Sequence, residues 1–173
     1  MVAKYNELFA MIDEANEKLR LFFRQQRREE LTTRSGVVLV VDDMPEQADL
    51  VARMLRKRDA GLIVSSCVDS KSAIAYIKQH GSQAIRIVIV DLELRGRLGN
   101  SDGAVIVRWI ESHCPEIPYV ILTGKADRIE MLKESHPGID VLVKGQSSIN
   151  DYADAIGLSQ LDADSYTLPY DMS

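Results

Sequence analysis

Residues 37–47 read VVLVVDDMPEQ. Five apolar residues run straight into two adjacent aspartates, Asp42 and Asp43, and a proline follows at 45. A continuous apolar run of this length is the pattern of a strand buried on both faces, as in a parallel sheet covered by helices. Two neighbouring carboxylates at its end repel one another. A solvent-facing turn would tolerate that repulsion, and a bound divalent cation would remove it.

The same alternation continues down the chain. Strands are predicted over 62–68 (LIVSSCV), 85–90 (IRIVIV), 119–123 (YVILT) and 141–143 (VLV). Between and after them lie helical patterns over 45–59, 70–80, 102–114, 126–136 and 148–158. Pro45 sits in the first turn of the first of these, Gly81 closes the second, and Pro115 and Pro137 follow the third and fourth. Five apolar strands alternating with five helices specify an open, doubly wound α/β domain around a five-stranded parallel sheet, over residues 36–158.

The flanks differ in character. Residues 1–34 contain no Gly or Pro. Met1, Tyr5, Leu8, Ile12, Ala15, Leu19 and Phe22 recur in steps of four and three, a heptad stripe on one face of an amphipathic helix. Phe9 and Phe23 widen the stripe, so it must pack on something. Self-association into a homodimer is favoured over folding onto its own domain or docking on another protein. The charged RQQRREELTTRSG that follows reads as a solvated helix end and a short linker. Residues 159–173 carry three Asp and no Lys or Arg, and read as a flexible acidic tail.

Composition narrows the function. Hydrophobic residues make up 46% of the chain and charged residues 27%, as in soluble globular proteins. No apolar run approaches the ~20 residues of a membrane span, and no signal peptide precedes the domain, so a cytoplasmic location is expected. A net charge of −5 argues against nucleic acid as the main partner. Cys67 and Cys114 lie outside any metal-ligand spacing and read as reduced core residues, and the three histidines fall near helix ends.

In open parallel sheets, ligands bind beyond the carboxyl ends of the strands, where strand order reverses. There the chain places Asp42 and Asp43, then Asp91, Thr123 and Lys144, each among the first polar positions after its strand. Loops are wet, and any one of these is unremarkable alone. Three acids, a hydroxyl and an ammonium at one rim make a set that would hold Mg²⁺ through oxygen ligands and serve phosphoryl chemistry. Asp91 would be the nucleophile, with Thr123 and Lys144 on phosphoryl oxygens.

VVLVVDD, IVIVDLEL, YVILTG and VLVKG stand in this order, with 48 residues from Asp43 to Asp91, 32 on to Thr123 and 21 on to Lys144. In these motifs the chain resembles the receiver domain of two-component response regulators. The resemblance implies that Asp91 accepts a phosphoryl group from a histidine kinase or a histidine phosphotransfer protein. It implies that Asp42, Asp43, Asp91 and the backbone carbonyl of Glu93 bind Mg²⁺. It also implies that Thr123 and Lys144 report phosphorylation to the face built from the last two helices and last strand, and that the protein is not itself an enzyme. Glu93 and Lys125 match positions that tune dephosphorylation, where opposite charges would form a gate.

The chain departs from the family in three places. The loop after Asp91, LELRGRLGNSDG, is long and lacks an early proline; Val141 replaces the frequent aromatic switch; Gly145 replaces the frequent proline after the lysine. Two other readings follow from these and from Glu93: a pseudo-receiver that is never phosphorylated, and a Mg²⁺-dependent phosphohydrolase with Glu93 as general acid, for which no cap domain is evident.

Overall fold

The computed structural model describes residues 2–94 and 103–158. The expected acidic tail and most of the long loop after Asp91 lie outside these residues. Five strands, β1 (Val37–Val41), β2 (Val64–Cys67), β3 (Ile85–Asp91), β4 (Tyr119–Thr123) and β5 (Val141–Val143), form one sheet. Every pairing is parallel, in the order β2-β1-β3-β4-β5. After α1 (Val2–Thr33), the helices α2 (Pro45–Arg58), α3 (Ser70–His80), α4 (Gly103–His113), α5 (Ile129–Ser135) and α6 (Ile149–Ala155) cover it.

Alternation within β1 decides which helices lie where. Leu39 and Val41 face a core shared with Ile77 of α3 and Ile106 and Ile110 of α4. Val38 and Val40 face the other layer, with Val51 and Leu55 of α2 and Tyr152 of α6. Burying each such aliphatic side chain contributes about 1.5–3 kcal/mol. Strand order reverses between β1 and β3, so the crevice beyond their ends opens where Asp42, Asp43 and Asp91 stand.

The edges of the predicted elements shift. β2 is shorter than expected, because it is an edge strand whose flanking Ile63 and Val68 are exposed. The predicted helix over 126–136 begins as a 3-10 turn at Ala126–Arg128 before α5. Cys67 is buried and Cys114 half-buried, both as free thiols.

α1 brings the largest correction. Its basic second half is not a solvated linker but the part docked on the domain. Leu31 is 1% exposed in the α2–α6 core layer. Arg24 forms an ion pair with the buried Asp140, and Arg27 donates to the carbonyls of Tyr119 and Gly138. Arg34 donates to the carbonyls of Ile85 and Glu116 at 3.0 and 2.7 Å. These arginines sit at the amino ends of β3, β4 and β5, where Arg27 and Arg34 supply side-chain donors to backbone carbonyls. Gly157 lets the helix approach, since a Cβ there would stand 2.4 Å from that of Leu31. No helix among the described residues is long and apolar enough to cross a membrane.

Candidate functional site

β1 and β3 are neighbours, so the carboxylates that end them lie side by side. Asp42, Asp43 and Asp91 each offer an oxygen within 4.8 Å of the others. Asp42 and Asp91 are both 1% exposed, and Asp43 is half-buried. Their amino-side oxygens are fixed by local turns: Met44 N–H donates to Asp42 Oδ1 at 2.9 Å, and Glu93 N–H to Asp91 Oδ1 at 3.0 Å.

The remaining oxygens meet one cation. Lys144 Nζ donates to Asp42 Oδ2 at 2.8 Å and to Asp91 Oδ2 at 2.6 Å. Its position is set by β5, and its backbone N–H donates to Thr123 O at 2.9 Å, which ties the ends of β4 and β5 together. Burial pulls the ammonium toward its neutral form, but the hydrogen bonds and charges of Asp42 and Asp91 outweigh it and hold Lys144 above its ordinary range. Burial lifts the Asp91 carboxyl above its ordinary range, against the opposing hydrogen bonds from Lys144 and Glu93 N–H. Tyr152 of α6 is buried close enough to feel these charges, and burial is the main reason its phenol is pushed up to about 12.

Thr123 is fully buried and its hydroxyl donates to Glu93 Oε1 at 2.7 Å. Glu93 Oε2 takes the Gly124 N–H at 2.6 Å, and Lys125 N–H donates to Thr123 Oγ1 at 3.0 Å. Glu93 thus closes on Thr123 and Gly124, while Lys125 enters through its backbone and its side chain is exposed.

Sequence reasoning missed two contributors. Gly103 begins α4 against the end of β3, where a Cβ would fall 2.0 Å from Asp91 O. Its position at the head of an apolar helix, directly after the long loop, was the available signal. The hydroxyl bond from Thr123 to Glu93 had none, because it depends on how the β3 and β4 loops face each other.

The donor set fits a hard dication: three clustered carboxylates, all oxygen donors, with Lys144 offsetting part of the charge of Asp42 and Asp91. Glu93 stands two residues past Asp91, where its backbone could complete such a set.

A family model described as the response regulator receiver domain matches residues 38–156. Among solved structures, the bacteriophytochrome response regulator AtBRR is 25% identical, covering 70% of this chain and 89% of that one with a TM-score of 0.56. A receiver domain protein from Clostridium thermocellum is 24% identical over 70% and 91%, with a TM-score of 0.58. TrrA from Thermotoga maritima, in complex with Mg(2+)-BeF, is 20% identical over 65% and 90%, with a TM-score of 0.52. No curated protein matches the sequence. With more than half its length matched by that model, the chain belongs to the response regulator receiver domain family.

Proposed function

We propose that this receiver is a working phosphoacceptor: Asp91 takes a phosphoryl group from a histidine kinase or a histidine phosphotransfer protein in the cytoplasm. The observation that carries the reading is the Lys144 ammonium held on both Asp42 Oδ2 and Asp91 Oδ2. It holds a cation beside the proposed nucleophile, where a phosphoryl oxygen would arrive.

Asp42, Asp43, Asp91 and the Glu93 carbonyl would hold Mg²⁺, which when bound offsets charge on the phosphoryl oxygens. An Asp91 carboxylate oxygen forms the new bond to phosphorus as the bond to the donor imidazole nitrogen breaks, and the imidazole leaves with the electron pair. Lys144 exchanges Asp91 for a phosphoryl oxygen. Thr123 turns its hydroxyl from Glu93 to a second one. The result replaces the single charge of the Asp91 carboxylate with the roughly −1.5 to −2 of a phosphoryl group, a net gain of at most about one negative charge at the ends of β3–β5, and biases the α5–β5–α6 face toward a partner. Residues 36–158 are the switch, α1 associates two copies, and 159–173 form an acidic tail.

Intact-mass measurement after incubation with Mg²⁺ and acetyl phosphate tests the reading. One added phosphoryl is expected, absent in Asp91→Asn and when EDTA replaces Mg²⁺. No uptake by the wild-type chain would leave a pseudo-receiver, and steady release of phosphate from phosphomonoesters would point to a hydrolase.

A further inference from the structure

α1 presents two faces of opposite character. Arg24, Arg27, Leu31 and Arg34 recur in steps of three and four and hold the chain's own receiver. About 100° round the helix from them lie Tyr5, Leu8, Ile12, Leu19 and Phe22, with Phe9 and Phe23 between the two faces. All seven are 45–63% exposed. The receiver therefore uses the basic face of α1, with Phe23 at its margin beside Gly138, and leaves most of the apolar stripe exposed.

We propose that a second copy of the chain covers it, with the two α1 helices antiparallel about a two-fold axis between residues 13 and 14. This deepens, and rests on, the self-association proposed for α1 above. Three observations bear on this occupant, and the charge distribution among them sets the orientation.

The stripe is symmetric about that axis. Reversing the helix sets Tyr5 opposite Phe22, Leu8 opposite Leu19 and Ile12 opposite Ala15, so every stripe position across 5–22 meets another stripe position. A two-fold interface demands this self-complementarity, and an unrelated partner does not.

Charge separates along the helix. Residues 1–17 contain one Lys and four acids, and residues 18–34 contain six basic residues and two acids. A parallel pair lays acidic half on acidic half and basic on basic. The antiparallel pair sets unlike halves together and also opposes the helix dipoles.

The area is sufficient. A fully buried aromatic hides about 150–250 Å², so the half-exposed Tyr5, Phe9, Phe22 and Phe23 offer roughly 400 Å² per copy. Leu8, Ile12 and Leu19 bring this to roughly 700 Å², close to the ~800 Å² per partner of a standard interface. In this register the partner helix lies along residues 2–25, on a different face from Arg24, Arg27, Leu31 and Arg34, so the two receivers sit toward opposite ends of the pair.

The test uses the full chain. Light scattering should return a dimer, and Leu8→Asp/Leu19→Asp should return a monomer that still takes up phosphoryl to the wild-type extent. Leu8→Cys chains mixed with isotope-labelled Leu19→Cys chains should, on oxidation, give an 8–19 disulfide peptide by mass spectrometry. A dimer that yields an 8–8 peptide overturns the antiparallel register while leaving self-association standing. A wild-type monomer overturns both, and phosphoryl uptake, measured on the same samples, reports separately on Asp91.

Discussion

Thr123 gives its hydroxyl to Glu93, 2.7 Å away, rather than to the crevice. In the proposed phosphoacceptor this bond would have to break before Thr123 could meet a phosphoryl oxygen. Glu93 holds two donors, Thr123 Oγ1 and Gly124 N–H, each worth about 1 kcal/mol net. Glu93→Ala removes both and should speed phosphoryl uptake from acetyl phosphate roughly three- to tenfold. The acyl-phosphate lifetime in the same variant and in Lys125→Ala tests the gate. Unchanged lifetimes in both end that idea, and an unchanged uptake rate ends the latch.

Gly103 bears on the same site from below. A methyl group there would meet Asp91 O at 2.0 Å and Leu92 Cα at 2.7 Å, both backbone. No side-chain rotation relieves such a contact, so either α4 or the end of β3 must move. Gly103→Ala should cost about 2–3 kcal/mol in urea unfolding and slow phosphoryl uptake. A variant as stable as wild type would mean that α4 adjusts freely.

The sheet was legible because parallel strands buried on both faces leave uninterrupted apolar runs, and because each run ends in a polar residue aimed at one rim. Asp42, Asp91, Thr123 and Lys144 followed from that rule. The docking of α1 did not. Arg24, Arg27 and Arg34 look like solvated charge in a sequence, since nothing local reveals that their partners are carbonyls at the amino ends of β3 and β4 and a carboxylate just before β5. Asp140 was equally silent: an acid one residue ahead of a strand reads as loop until its burial is seen. The edge strand β2 was overextended because Ile63 and Val68 are apolar yet exposed.

Arg24 and Asp140 join α1 to the start of β5, the strand that ends at Lys144. The Asp140 carboxylate is buried, so Arg24→Met removes its ion-pair partner and leaves it only the weaker attraction of nearby Arg27. Arg24 is itself about half exposed, and water softens the loss. A destabilisation of about 2 kcal/mol is expected by chemical denaturation. Adding Asp140→Asn should recover part of it, because the buried charge is then gone. A double variant worse than the sum of the singles would contradict this account.

Asp69 supplies a pH-dependent increment just past the end of β2, the strand beside β1. It caps α3, accepting the Ser72 N–H at 2.6 Å. That backbone bond, foremost, holds its carboxyl below the usual carboxylate range. A depressed folded value means the contribution is present above the unfolded value, near 3.9, and is lost as pH falls through the folded one. Asp69→Ala should therefore cost about 1 kcal/mol at neutral pH, the ordinary value of such a cap. The gap between the variant and wild type should narrow as pH drops below about 4, where the wild-type cap takes up its proton. Urea midpoints collected from pH 7 to pH 3 would check it, and a gap that widened toward acid would show that the carboxylate is not what stabilises the helix start.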